Sequence, residues 1–365
     1  MADSSDKILK KIRPSRIIFP ILLGLIVVGY LLYKEFDPEA FSLITFSWYM
    51  LLFIFISLIM MFIRDFGYII RLRILTEKKL SWRKSFNIIM LWEFTSAITP
   101  GAIGGTSVAV VFIHKEGLTV GKSTAVVMAT SLLDELYFII LFPIIVLVVG
   151  NSDLFTIGGA DTASVDLTNK YFLFAVVAYS IKFLWILFMS YGLFINPGAI
   201  KKIIVQIFKL RFLKKWKTKA ENTGNDLIMA SNELKKRSFT FWAKAFLSTF
   251  FSWTARYWVL NFLLLALIFG LPNSIAQTIP SFGENLLIFA RQLVMWLLMV
   301  IIPTPGGSGI VELVFSDYMA EFIPALGLVT LMAILWRLVT YYPYLFIGVL
   351  VLPKWIKRVF AKSEK

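Results

Sequence analysis

The chain has no cysteine and a single histidine, His114, in 365 residues. Disulfides, zinc–thiolate sites, iron–sulfur clusters and thiol catalysis are excluded, as are Ser-His-Asp chemistry and multi-histidine metal sites. Charge is also scarce. Asp, Glu, Lys and Arg make up 16% of the chain, against roughly 25% in soluble domains. Apolar residues fill the space, at 58% of the total and a mean hydropathy of +0.78. Several runs reach the roughly 20 apolar residues that cross a bilayer. None alternates with the period of two that a membrane β-barrel needs. The sequence therefore predicts an all-α, polytopic membrane protein with one integral membrane domain over residues 1–365.

The longest runs are 17–33, 41–63, 120–149, 171–195, 241–270 and 325–351. The first follows Lys7, Lys10, Lys11, Arg13 and Arg16, with no small-residue cleavage motif before Lys34, and reads as an uncleaved helix. Two further apolar stretches, 82–114 and 284–320, are each interrupted once. The first break is Thr99, Pro100, Gly101, Ala102, Ile103, Gly104, Gly105; the second is Thr304, Pro305, Gly306, Gly307, Ser308, Gly309. Proline removes a backbone donor and clashes with the preceding turn, and glycine tolerates left-handed dihedrals. In hydrocarbon such a break survives only where protein or a wet cavity satisfies the freed backbone groups. A matched pair in two halves of a chain points to a transporter's binding site.

Loop charge orients the chain. Segments 1–16, 64–84, 115–122, 196–244 and 354–365 carry most of the 37 Lys and Arg residues, whereas 34–40, 150–170 and 271–283 hold only Lys34 and Lys170. By the positive-inside rule both termini are cytoplasmic. Parity then makes 82–114 a re-entrant hairpin entering from the cytoplasm and 284–320 one entering from outside. The expectation is about six full transmembrane helices plus two re-entrant helical hairpins, about eight hydrophobic segments, in an inverted repeat with halves 17–150 and 171–351. Nearly equal spacings, Gly105 to Asp134 and Gly307 to Arg337, join each break to a charge in the next crossing.

Charges near the centres of crossings are Lys182, Arg256, Asp134 and Arg337, and the hairpins add Glu93, Arg291 and Glu312. From Trp82 to Glu93 is roughly 16 Å at helical rise, about half the hydrocarbon core. Each such charge costs about 2.5–3.5 kcal/mol on insertion scales, so it pairs or faces a cavity. One reading has Asp134, Glu93 and Glu312 pairing with Arg256, Arg291 and Arg337 to lock the bundle. The other places them around a site at the two breaks, where the half-helices beginning at Thr106 and Ile310 aim free N–H groups at an anion. Thr106, Ser107 and Ser308 would cap those ends or touch ligand oxygens. A purely structural role, in which the glycines only let helices approach, remains the alternative.

Residues 196–244 form a basic amphipathic insert, in which Ile200, Ile203, Ile204, Ile207, Phe208 and Trp216 alternate with lysines. It suits the anionic inner leaflet, and Asn222–Asn225 marks a turn or linker. The net charge of +15 sits in loops, which argues against nucleic acid as the partner. Gly117-Leu118-Thr119-Val120-Gly121-Lys122-Ser123 falls one residue short of a phosphate loop, and Gly307-Ser308-Gly309 lacks the third glycine of a dinucleotide fingerprint.

The stretch Thr99 to Tyr137, with Thr-Pro-Gly, Gly-Gly and Leu133-Asp134, resembles the transmembrane region of lysylphosphatidylglycerol synthases. Ile302-Pro303-Thr304-Pro305-Gly306-Gly307-Ser308-Gly309-Ile310-Val311-Glu312 resembles it more specifically. Where that family often has an acidic and then a basic residue after the first Gly-Gly, this chain has Thr106, Ser107 and Val110. The resemblance implies a flippase-like protein of the bacterial inner membrane. Only residues 353–365 follow the last apolar run, so no synthase activity, and no enzyme, is expected. The expected function is translocation of a phosphate-bearing lipid, anionic or zwitterionic, by alternating access, without a cofactor or a metal. Thr99, Pro100, Gly101, Gly104, Gly105, Thr106, Arg256, Arg291, Thr304, Pro305, Gly306, Gly307, Ser308, Gly309 and Arg337 would bind it. Glu93, Asp134 and Glu312 would contact an amine or carry coupling protons. The alternative is a non-transporting scaffold that presents lipid to a separately encoded lipid-modifying transferase; a homo-oligomer or such an enzyme partner stays open.

Overall fold

Short polar side chains start the main helices. Ser81, Thr119, Asn169 and Ser238 each accept from backbone N–H groups of the first turn that follows them. A computed structural model describes residues 42–99, 101–155, 169–207, 217–272, 279–299, 310–324 and 327–361, with Tyr33 and Pro38. In chain order the helices are α1 (Trp48–Leu75), α2 (Trp82–Ile98), α3 (Gly101–Lys115), α4 (Val120–Val149), α5 (Asn151–Phe155) and α6 (Lys170–Ser190), the last continued by a π-helical turn Tyr191–Ile195. There follow α7 (Pro197–Ile207), α8 (Lys217–Lys235), α9 (Phe239–Phe269), α10 (Phe282–Met299), α11 (Ile310–Met319), α12 (Gly327–Thr340) and α13 (Tyr342–Ala361). No strand occurs among the described residues.

Five helical stretches are long and apolar enough to cross a membrane: α1, α4, Tyr171–Ile195, α9 and Gly327–Val359. The chain is a multi-pass helical membrane protein, and these five coincide with five of the apolar runs. The remaining run, 17–33, lies outside the described residues. Helix α9 is the hub, the most deeply buried of the five stretches, whereas α1 is the least buried. The outer helices show rings to lipid, including Phe55 and Phe62 on α1 and Phe174 and Phe188 on α6.

Helices α1 and α9 run antiparallel along each other. Thr45 N–H donates to the Gly270 carbonyl at 2.7 Å at one end, and Arg71 donates to the Thr249 hydroxyl at 3.0 Å near the other. Between these contacts Gly67 lies so near Ser252 and the Ser248 carbonyl that a Cβ there would collide with both. Small residues allow such backbone approach where lipid supplies no hydrophobic drive between helices.

Three expectations need correction. The first crossing described does not end at residue 63: α1 continues to Leu75 and carries Arg64 and Arg71 into the bundle, where carboxylates neutralise them. The run 325–351 is two helices, because Pro343 has no N–H and its ring opposes the carbonyl of Val339, so the chain breaks at Tyr341. Asn222–Asn225 is neither turn nor linker but lies inside α8, whose Gly224 packs on Lys201 of α7. Lys201 also donates to the Asn225 side chain at 2.7 Å.

Gly117-Leu118-Thr119-Val120-Gly121-Lys122-Ser123 is a helix start. Gly117 takes φ 117°, Thr119 caps α4, and Gly121 lies against the backbone of Asp226 and Leu227. His114 ends α3 with Nδ1 at 2.7 Å from the Leu118 carbonyl.

Candidate functional site

The turn between α1 and α2 sets the depth of the first charge pair. Arg64 precedes Leu75, and Glu93 follows Trp82, by equal numbers of residues, roughly 16 Å along each helix. The two side chains therefore meet. Arg64 Nη2 lies 2.7 Å from Glu93 Oε2, and Nη1 lies 2.7 Å from Asp65 Oδ1. Nη1 also donates to the Tyr344 hydroxyl of α13 at 2.7 Å, which passes its own proton to Asp65 at 2.8 Å. Arg64 is 2% exposed.

One turn further on, Tyr68 lies between two guanidinium groups, with Arg64 and Arg71 each 4.6 Å from its ring centroid. Residues 64, 68 and 71 share one helix face. Arg71 forms a two-pronged bridge to Asp134 of α4, at 2.5 and 3.3 Å. The Trp253 indole N–H of α9 donates to the same carboxylate at 2.7 Å. A continuous polar string thus joins α2, α1, α13, α4 and α9 through an otherwise apolar core.

Arg256 extends the string. Its guanidinium lies over Trp253 at 5.7 Å and over Trp296 of α10 at 5.6 Å, with no carboxylate partner among the described residues. Nearby donors are also unused. The Trp296 indole N–H and the Tyr257 hydroxyl are buried without a hydrogen-bond partner among the described residues. A half-buried cation on two indoles, beside idle donors, is chemistry suited to an anion.

The other candidates divide. Asp134 and Glu93 pair with Arg71 and Arg64, not with Arg256, Arg291 or Arg337. Arg291, 2% exposed, clamps the opposite end of the bundle: it donates to the Asp153 carbonyl at 2.8 and 3.1 Å, to the Tyr318 carbonyl at 3.1 Å, and lies 2.9 Å from Glu321. Arg337 is buried under Tyr341, 4.4 Å from its ring centroid. Lys182 bridges to Glu135 at 2.7 Å.

At the first break the backbone of α3 is helical from Gly101, so its N-terminus includes Gly101 and Gly104, and Thr106 sits beyond the capping position. Gly105 meets Ser96 of α2 so closely that a Cβ would collide with it. Thr99 closes α2 by donating to the Thr95 carbonyl at 2.6 Å. The Tyr341 hydroxyl, from the break between α12 and α13, donates to the Ala97 carbonyl at 3.0 Å. Pro100 and residues 300–309, with Thr304, Pro305, Gly306, Gly307, Ser308 and Gly309, lie outside the described residues, as does the side chain of Glu312.

The sequence pattern missed Arg64, Asp65, Arg71, Tyr344 and Trp296. The apolar run 41–63 stops at its first arginine, although Phe66, Ile69, Ile70, Leu72 and Leu75 continue it. Arg64, Tyr68 and Arg71 at helical spacing were the signal that these charges belong to a buried face.

At the polar end, Glu77 lies 3.2 Å from Lys122 and 2.5 Å from Arg237. Burial opposes its charge, yet these two cations hold its carboxyl below the usual range. Glu116, almost wholly buried, receives the Trp355 indole N–H at 2.8 Å and bridges to Arg358 and to Lys84, tying α13 to the base of the α2–α3 hairpin.

A family model described as the lysylphosphatidylglycerol synthase TM region matches residues 17–348. A "UPF0104 membrane protein" of Archaeoglobus fulgidus is 29% identical over 290 residues, covering 78% of this chain and 80% of that protein.

Proposed function

The chain belongs to the lysylphosphatidylglycerol synthase TM region family, and from that premise we propose that it is a flippase-like transporter of a phosphate-bearing membrane lipid. The observation that carries this reading is Arg256, a half-buried cation over two indoles with unused indole and phenol donors close by. The lipid phosphate would bind Arg256, with Trp296 and Tyr257 donating to its oxygens. The Trp253 ring shared with Asp134 connects this point to the Arg71 and Arg64 pairs. The Pro-Gly breaks at Thr99–Gly105 and Thr304–Gly309 would bring helix N-termini to the same headgroup.

The movement is alternating access between two inverted halves, 17–150 and 171–351. Antiparallel packing of α1 on α9, the corresponding crossings of the two halves, supports that arrangement. The setting proposed is an inner, plasma-type membrane with both termini cytoplasmic, supported by the basic segments at 73–84 and 201–244. No enzymatic step is proposed.

The test is headgroup movement of fluorescent anionic, zwitterionic and aminoacylated lipids in proteoliposomes. A charge-assisted phosphate contact is worth about 1.5–3 kcal/mol. Arg256→Met should therefore slow movement at least about tenfold while leaving the melting temperature unchanged. No movement of any lipid by folded wild-type protein would favour the scaffold that hands lipid to a transferase.

A further inference from the structure

Among the described residues three buried cations each meet one carboxylate and Arg64 meets two, while the half-buried Arg256 further along the polar string meets none. Arg71 has Asp134, Lys182 has Glu135, and Arg291 has Glu321. Arg64 has both Asp65 and Glu93. Among the described residues the other groups facing this trio are neutral. They are Tyr68 from α1 and Tyr344 from α13, and beyond Tyr68 the charges of Arg71 and Asp134 cancel. With both carboxylates ionised the trio carries one uncompensated negative charge at mid-bundle. Two like charges on one guanidinium repel, and low dielectric strengthens that repulsion. One proton removes it, and the proton belongs to the pair rather than to either residue.

A second feature points to exchange with water. Each carboxylate side chain keeps 21% of its surface exposed, although the arginine between them keeps 2%. The trio also joins separate helices. Glu93 belongs to the hairpin, Arg64 to α1 and Tyr344 to the helix whose preceding residue, Tyr341, holds the Ala97 carbonyl next to the break. Protonation weakens the Glu93–Arg64 bridge and with it the hold of α1 on the hairpin.

We propose that Asp65 and Glu93 form a one-proton site on Arg64, and that this proton is the coupling ion for headgroup translocation. One carboxylate oxygen takes a proton from water on one side of the membrane and returns it on the other, with no bond formed or broken besides O–H. The coupling rests on the transporter reading above; the proton site does not.

Two measurements separate them. Infrared spectra of the purified full-length protein should show the C=O stretch of a protonated carboxylic acid at neutral pH. Asp65→Asn and Glu93→Gln should each abolish it, because the remaining carboxylate is then matched by Arg64. Glu135→Gln, whose partner lies elsewhere, should leave it. Absence of the band in wild-type protein, or its survival in either single variant, overturns the site. In proteoliposomes a pH gradient should drive headgroup movement, and movement indifferent to the gradient overturns the coupling. If no lipid moves with or without a gradient, the transporter reading fails and the infrared band alone decides the proton site.

Discussion

Arg71 and Asp134 show what a buried pair demands of its surroundings. The carboxylate also receives the Trp253 indole N–H, and the guanidinium also reaches the Thr249 hydroxyl. Removing one partner strands the other charge in low dielectric. Asp134→Asn should therefore destabilise the protein by about 3–5 kcal/mol, read as a lowered unfolding midpoint in detergent. The double replacement Arg71→Met with Asp134→Leu should recover most of that loss, because neither charge is then stranded. Glu77 behaves differently, at the polar end. Its carboxyl titrates lower in the folded protein than in the unfolded chain, so the folded state binds fewer protons and stability rises with pH across that range. The stabilisation is present above the ordinary carboxylate pKa and is lost as pH falls through the lowered one. Melting curves of wild type and Glu77→Gln should be separated at neutral pH and converge in acid.

At the scale of elements, two close approaches hold the long helices in place. Gly67 lets α1 settle on α9 at Ser252. Gly67→Val should cost about 1–3 kcal/mol through overpacking, measured by thermal unfolding, with Gly67→Ala less severe. Gly121 lets α8 lie on the first turn of α4 beside Asp226 and Leu227, where Lys122 also bridges to Glu233. Gly121→Val should detach α8 and speed limited proteolysis within it, while the membrane helices stay folded. The length of α2 and the two limbs flanking 300–309 were legible from the Pro-Gly breaks alone, since proline and glycine act through the local backbone. The split at Tyr341 was not. Pro343 interrupts an apolar run that hydropathy treats as one crossing.

For the whole molecule, the absence of cysteine makes topology directly measurable. Single replacements Lys236→Cys and Ser281→Cys should react with a membrane-impermeant thiol reagent from opposite sides. Reaction of both from one side would refute the crossing of the membrane by α9. The same absence makes any labelling signal attributable to the introduced residue. Movement between the halves would have to pass the polar string from Glu93 to Arg256.

Hydropathy, charge placement and the two Pro-Gly breaks determined the class, the apolar runs and the end of α2 at the first break, because each acts over one turn or one bilayer thickness. They also marked Glu93, Asp134 and Arg256 as charges out of place. Which cation each carboxylate meets was decided only by the tertiary structure. Arg64 and Arg71 read as loop charges until α1 is seen to continue, and Asp134 meets Arg71 across a separation of 63 residues. Pairing across helices depends on their rotation and approach, which Gly67 and Ser252 set through space and no local pattern records.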